Sequence, residues 1–155
     1  MKPGLNIRSL SPLIREACQE GEFFKLLNKW GCGAMDGGCL MVALALKEVL
    51  GRGEIYAVWG ITYRRKTPCY LHALLRVGNL YVDGDGVSDK QLVLDRWNAS
   101  EYINEALDLV PLAERIRMIK KGTPLCEETV DKLTYYFNKR LFTGALRLTN
   151  ARSNS

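Results

Sequence analysis

Cys39, His72, Asp83 and Asp85 are side chains of the types that carry out nucleophilic acyl chemistry together. Cys39 follows Gly37-Gly38 and opens the run Cys39-Leu40-Met41-Val42-Ala43-Leu44-Ala45-Leu46-Lys47-Glu48-Val49-Leu50, closed by Gly51. Good helix formers, no proline and a glycine at the end predict a helix over 39–50. The run is apolar almost all round, so the helix should be buried, and it is too short to span a bilayer. A thiol at the first turn meets free N–H groups and the positive end of the helix dipole, which favour a thiolate and can hold an oxyanion. A cysteine in such a place is more often a small buried hydrophobe, so its partner decides the matter.

His72 is the only histidine in the chain, so Cys–His chemistry has one available base. It lies in Tyr70-Leu71-His72-Ala73-Leu74-Leu75-Arg76-Val77, which reads as a strand. Gly78-Asn79 is a two-residue turn signal, and Leu80-Tyr81-Val82-Asp83 is the returning strand. With that turn, Val77 pairs with Leu80, Leu74 faces Asp83 and His72 faces Asp85. Alternation then places His72, Leu74, Asp83 and Asp85 on one face of the sheet. Asp83 is a diagonal neighbour of His72 and Asp85 its direct opposite, and either carboxylate can fix the imidazole tautomer.

Cysteine at the start of a buried helix, histidine on a later strand and aspartate on the next is an order that resembles papain-like and transglutaminase-like cysteine proteins. The resemblance rests on Gly37-Gly38-Cys39 with its helix, on His72 to Val77, and on Leu80-Tyr81-Val82-Asp83-Gly84-Asp85-Gly86, roughly residues 31 to 90. It implies an α+β fold in which the central buried helix packs on a small antiparallel sheet, with extra helices toward the C-terminus. It also implies a cysteine-dependent hydrolase or acyl transferase acting on an amide, peptide or related acyl bond of a protein or peptide-like substrate. The nucleophile would be Cys39, the base His72 and the orienting acid Asp83, with Asp85 the alternative. Asp83 is preferred because it still lies within the ladder, whereas Asp85 sits between two glycines where the chain is free to turn. Papain-like enzymes often place a glutamine ahead of the nucleophile to line the oxyanion hole. Here Gln19 is distant in sequence and Asn28 is the only other upstream amide near it, so the N–H of Cys39 is the safer donor.

The rest of the chain must position these groups. Ser11-Pro12 reads as the cap and first residue of a helix ended by Gly21, and a second helix is expected from Glu22 to about Trp30. Residues 31–38 form a glycine-rich loop without a GK[ST] ending, so they are not a P-loop. Glu54 to Gly60, extending toward Tyr63, is a strand. Gly84 to Val87 should leave the sheet. Residues 97–149 are expected to be helical, with helices over Ser100–Leu107, Pro111–Ile119 and Glu127–Leu141, and 150–155 to be a frayed tail. The whole is read as one domain over 1–149.

Composition narrows the classes. With 155 residues, 47% hydrophobic and 25% charged, the chain suits one globular domain with a real core. No apolar leader follows Met1 and no run is long enough to cross a membrane, so a cytoplasmic protein with no membrane partner is expected. Five irregularly spaced cysteines without a CxxC pair point to free thiols, with neither a metal nor a cofactor expected. Cys39, His72 and Asp83 are acceptable zinc ligand types, but one histidine makes a poor set. A net charge of +5, densest at Arg64-Arg65-Lys66, keeps open a second reading: a non-enzymatic protein that binds another protein or a nucleic acid on the same fold.

Overall fold

The computed structural model describes residues 6–35, 37–64, 67–100, 103–112 and 125–153. In chain order a 3-10 turn (Ile7–Leu10) leads into α1 (Ser11–Ala17), α2 (Gly21–Asn28) and α3 (Cys39–Leu50). Then come β1 (Glu54–Thr62), β2 (Cys69–Val77), β3 (Leu80–Asp83), β4 (Gly86–Asp89), α4 (Lys90–Asn98), β5 (Ile103–Pro111) and a long α5 (Glu127–Ser153). The fold is α+β. Its five strands are antiparallel throughout and lie in the order β4-β3-β2-β1-β5.

The apolar run after Gly38 becomes the helix around which the core is built. Nine of the twelve residues of α3 are buried, and Gly51 ends it in the left-handed region at φ 67°. Met41, Val42, Ala45, Leu46, Val49 and Leu50 pack with Ile14 of α1, Phe23 and Leu27 of α2, Leu133 and Phe137 of α5, and Leu75, Val77, Leu80 and Val82 of the sheet. Each large aliphatic side chain so buried contributes roughly 1.5–3 kcal/mol. Polar ties hold α5 against the N-terminal segments: Tyr136 donates to the Ala17 carbonyl (2.7 Å) and to Glu20 (3.2 Å), Trp30 Nε1 donates to Thr129 Oγ1 (3.2 Å), and Arg140 pairs with Glu20. The opposite face of the sheet is covered by α4. There Val93, Leu94 and Trp97 meet Tyr56, Val58, Leu74, Tyr81, Ala106 and Leu109.

The hairpin register is the expected one, with Val77 opposite Leu80 and Gly78 at φ 63° in the turn. Beyond Asp83 the chain departs from expectation. Residues 84–87 do not leave the sheet: Gly84 and Asp85 make a tight turn, and Gly86–Asp89 returns as β4 with Asp83 opposite Gly86. Gly86 takes φ 102° there, and the Val87 N–H donates to Ser11 Oγ (2.9 Å). Ser11 is therefore not the cap of α1; it is that helix's first residue and holds the edge strand, and Leu10 precedes it as the cap.

The C-terminal part is not wholly helical. Lys90–Asn98 forms a helix capped by the Asp89 carboxylate, which accepts from Leu92 N. The helix expected over Ser100–Leu107 is replaced by β5. Ile103 to Pro111 pairs along nearly all of β1, from Thr62↔Ile103 to Tyr56↔Pro111. The local helix preference of Glu105-Ala106-Leu107 yields to a ladder that satisfies the exposed edge of β1, and proline closes the strand end. The expected helix over Pro111–Ile119 lies outside the described residues apart from Pro111, which ends β5, and Leu112. The tail expected from Asn150 is helical as far as Ser153, because the good helix formers after Gly144 let α5 continue. Among the described residues no helix is long and apolar enough to cross a membrane.

Candidate active site

The glycines before Cys39 are required by close approach. The Gly38 N–H bonds the Gly33 carbonyl (2.9 Å), and a Cβ on Gly38 would stand 2.6 Å from that oxygen and 3.0 Å from Leu27 Cδ1. Gly37 lies at φ 103° and Gly33 bridges to Gly37. This folded loop also rests on the β3–β4 turn, where a Cβ on Gly84 would lie 2.6 Å from Ala34 Cβ. Helix start and hairpin end are thereby brought together. The first bond of α3 runs from Val42 N to the Gly38 carbonyl (3.0 Å), leaving the N–H groups of Cys39, Leu40 and Met41 without intrahelical acceptors.

Of the four candidate residues, three converge. His72 Nε2 lies 3.0 Å from Asp83 Oδ2, with His72 wholly buried and Asp83 3% exposed. Cys39, also buried, receives the Ala73 N–H at its sulfur (3.4 Å) and lies 3.1 Å from the Tyr70 hydroxyl. His72 Nδ1 is the ring nitrogen left for the sulfur. It has no hydrogen bond of good geometry among the described residues, yet thiol and ring are close enough that each shifts the other's ionisation. Asp85 does not face His72. It sits in the turn, where its N–H donates to Asp83 Oδ1 (2.9 Å) and its half-exposed carboxylate meets Arg96 Nη1 at 3.2 Å.

The electrostatics favour a separated charge pair. Burial resists ionisation of Cys39, but the His72 ring, the Tyr70 hydroxyl and the Ala73 N–H hold its pKa below the ordinary thiol value. Burial also resists protonation of His72. The Asp83 carboxylate and the Cys39 sulfur outweigh it and lift the imidazole from 6.5 to about 9. Asp83 is held below the usual carboxylate range despite its burial, chiefly by His72 and then by Arg96 and the Asp85 N–H. Cys18, by contrast, is pushed up to about 12 by burial and by Asp83 and Asp85, so it stays a protonated thiol at neutral pH.

Three neighbours of this site are not evident from the sequence pattern. Trp97 of α4 lies against the His72 ring, centroids 4.9 Å apart. Arg96 reaches Asp83 (3.8 Å) as well as Asp85 and so clasps the turn. Tyr70 arrives through a β-bulge. Val58 pairs with His72 and Trp59 with Tyr70, leaving Leu71 as an extra residue in β2. Strict alternation would put Tyr70 on the His72 side; the extra residue moves it to the cluster of Cys39, Leu40 and Ala73, while Leu71 joins that of Leu74 and Trp97. No sequence signal marks such a bulge.

Among the described residues no group of three or more His, Cys, Asp and Glu side chains is placed to hold a metal ion. In the basic cluster, Arg64 lies in an exposed turn, and Arg65 and Lys66 lie outside the described residues. No protein family, curated protein or solved structure matches the chain.

Proposed function

We propose that this protein is a cysteine-dependent hydrolase or acyl transferase with a papain-like or transglutaminase-like core, acting on an amide, peptide or related acyl bond. One observation carries the reading. The only histidine is buried with one ring nitrogen on a buried aspartate, beside a cysteine that begins a buried helix. A neutral, inert Cys39 would need none of these partners.

In this reading Cys39 and His72 rest as thiolate and imidazolium, and Asp83 orients the ring and supports its charge. The thiolate adds to a substrate carbonyl. A C–S bond forms and the carbonyl π pair moves to oxygen, where N–H groups at the start of α3 can receive the charge. When the oxyanion collapses, the bond to the leaving group breaks and the leaving group takes the His72 proton. The thioester is then released by water in a hydrolase or by an amine in a transferase. A protein or peptide-like acyl donor fits a nucleophile of this kind.

Cys39 is only 5% exposed, which favours a second reading in which the same fold serves as a binding protein. Thiol chemistry separates the two. Cys126 needs care, since the N–H and hydroxyl of Thr129 lower its pKa as well, so the test uses a Cys126→Ser background. Under the enzyme reading, iodoacetamide at mildly acidic pH modifies Cys39 ahead of Cys18, Cys32 and Cys69, and His72→Ala removes that preference. Modification of Cys39 no faster than that of buried Cys18 would refute the enzyme reading and leave the binding one.

A further inference from the structure

The helix N–H groups supply main-chain donors for an oxyanion, but the reading above leaves the site without a side-chain donor. Gln19 and Asn28 are the upstream amides nearer the cysteine, and among the described residues neither side chain is hydrogen-bonded to Cys39, whose sulfur meets the Tyr70 hydroxyl and the Ala73 N–H. We infer that Tyr70 is a catalytic residue, its hydroxyl donating to the thiolate at rest and to the acyl oxyanion once the C–S bond has formed. The inference rests on the Cys39–His72 reading.

The geometry argues for a donor. The hydroxyl is 3.1 Å from Sγ, and the oxygen of a tetrahedral adduct is only two bonds from that sulfur, so a small rotation of the phenol transfers the hydrogen bond from one to the other. Burial and the neighbouring Cys39 sulfur raise the phenol far above its ordinary pKa, so it stays neutral and keeps its proton to donate. Its ring packs on the cluster of Cys39, Leu40, Ala73 and Leu112, which restricts where the hydroxyl can point. The bulge at Leu71 puts Tyr70 on the sulfur side, two residues from His72. Bulges beside reactive groups commonly serve to re-aim a side chain in this way. The charged and titratable groups around the sulfur are His72 and Tyr70 of β2, with Asp83 of β3 and Arg96 of α4 behind the ring. Of these, the Tyr70 hydroxyl is hydrogen-bonded to Sγ and the His72 ring stands beside it.

The test compares two reagents on the Cys126→Ser protein and its Tyr70→Phe variant. Iodoacetamide alkylates sulfur by displacing iodide and creates no oxyanion. p-Nitrophenyl acetate acylates sulfur through a tetrahedral oxyanion and releases nitrophenolate. Phenylalanine keeps the ring and removes only the hydroxyl, and the melting temperature of each protein verifies folding. The inference predicts that Tyr70→Phe moves the alkylation midpoint to higher pH, slowing alkylation at pH 6 by about tenfold as one charge-assisted hydrogen bond is lost. At pH values where both thiols are ionised, alkylation should be unchanged or faster. Acylation there should still fall on the order of a hundredfold, as on losing an oxyanion donor. Parallel changes in both reactions overturn the oxyanion role. Faster alkylation at every pH with an unmoved midpoint overturns it too, and makes Tyr70 a cover over the thiol. An ordinary thiol midpoint for Cys39 in the starting protein removes the ion pair and this inference with it, so failure of the underlying reading is distinguishable from failure of the Tyr70 role.

Discussion

Asp83→Asn is the substitution whose consequences follow most directly from the geometry. The change keeps the shape and removes the charge facing a wholly buried imidazole. Asp83 and the Cys39 sulfur together lift His72 from 6.5 to about 9 against the opposing effect of burial. Complete loss of that lift would forfeit roughly 3 kcal/mol of preference for the imidazolium, at about 1.4 kcal/mol per pKa unit. Because Cys39 retains its share, alkylation of Cys39 near pH 6 should slow by between about tenfold and about a hundredfold. Stability should fall as well. The Asp85 N–H needs an acceptor and His72 Nε2 needs its partner, so one of the two bonds is lost or mismatched, at about 1–3 kcal/mol. The pH dependence carries a sign. The depressed pKa of Asp83 stabilises the fold above its unfolded value of 3.8, and that contribution disappears as pH falls through the folded value. The raised pKa of His72 stabilises the fold fully below 6.5, and that contribution disappears as pH rises through about 9. The melting-temperature gap between wild type and variant is therefore widest from about pH 4 to 6.5 and narrows on both sides. Thermal melts across pH, with alkylation rates read by mass spectrometry, test this. An unmoved alkylation midpoint with a pH-independent gap would show that Asp83 does not support the charge on His72.

Two further substitutions test the surroundings. Asp85→Asn should leave the alkylation midpoint of Cys39 within a few tenths of a unit of wild type. Its carboxylate is half-exposed and paired with Arg96, and its contact with Asp83 is through the backbone; a shift as large as that of Asp83→Asn would reverse the assignment. Gly38→Ala should destabilise the protein by about 1–3 kcal/mol, since the new Cβ meets a backbone oxygen that cannot yield without moving the 31–38 loop. Denaturant melts measure that cost, and a neutral result would mean that the helix start tolerates displacement.

Much of the site was legible because its parts are local in sequence. The apolar run bounded by Gly38 and Gly51 specifies a buried helix, and the Gly78-Asn79 turn fixes a register that carries His72 and Asp83 to one side of the sheet. Tyr70, Arg96 and Trp97 were not legible. Tyr70 depends on one unpaired residue in a strand, and the other two on a helix whose apolar side is short, with Val93 alone fully buried. Asp85 falls opposite His72 only if the β2–β3 ladder is extended past its last pair, Leu75↔Val82; the chain instead turns at Gly84-Asp85 and pairs Asp83 with Gly86. β5 was missed for a different reason. Residues 103–111 carry a helix-compatible composition, and only the unpaired edge of β1 makes them a strand.

A thiolate–imidazolium pair of Cys39 and His72, supported by Asp83, is tested most directly at the imidazole. Because His72 is the only histidine, its imidazole nitrogen resonances in a 15N-histidine-labelled sample need no assignment. The measurement is their titration by NMR in wild type and in Cys39→Ser. Such a pair requires an imidazolium that persists through pH 7 and loses its proton near 9 in wild type, and at lower pH once the sulfur is gone. A ring that is neutral at pH 7 in wild type, or one whose titration is unchanged by Cys39→Ser, would contradict it.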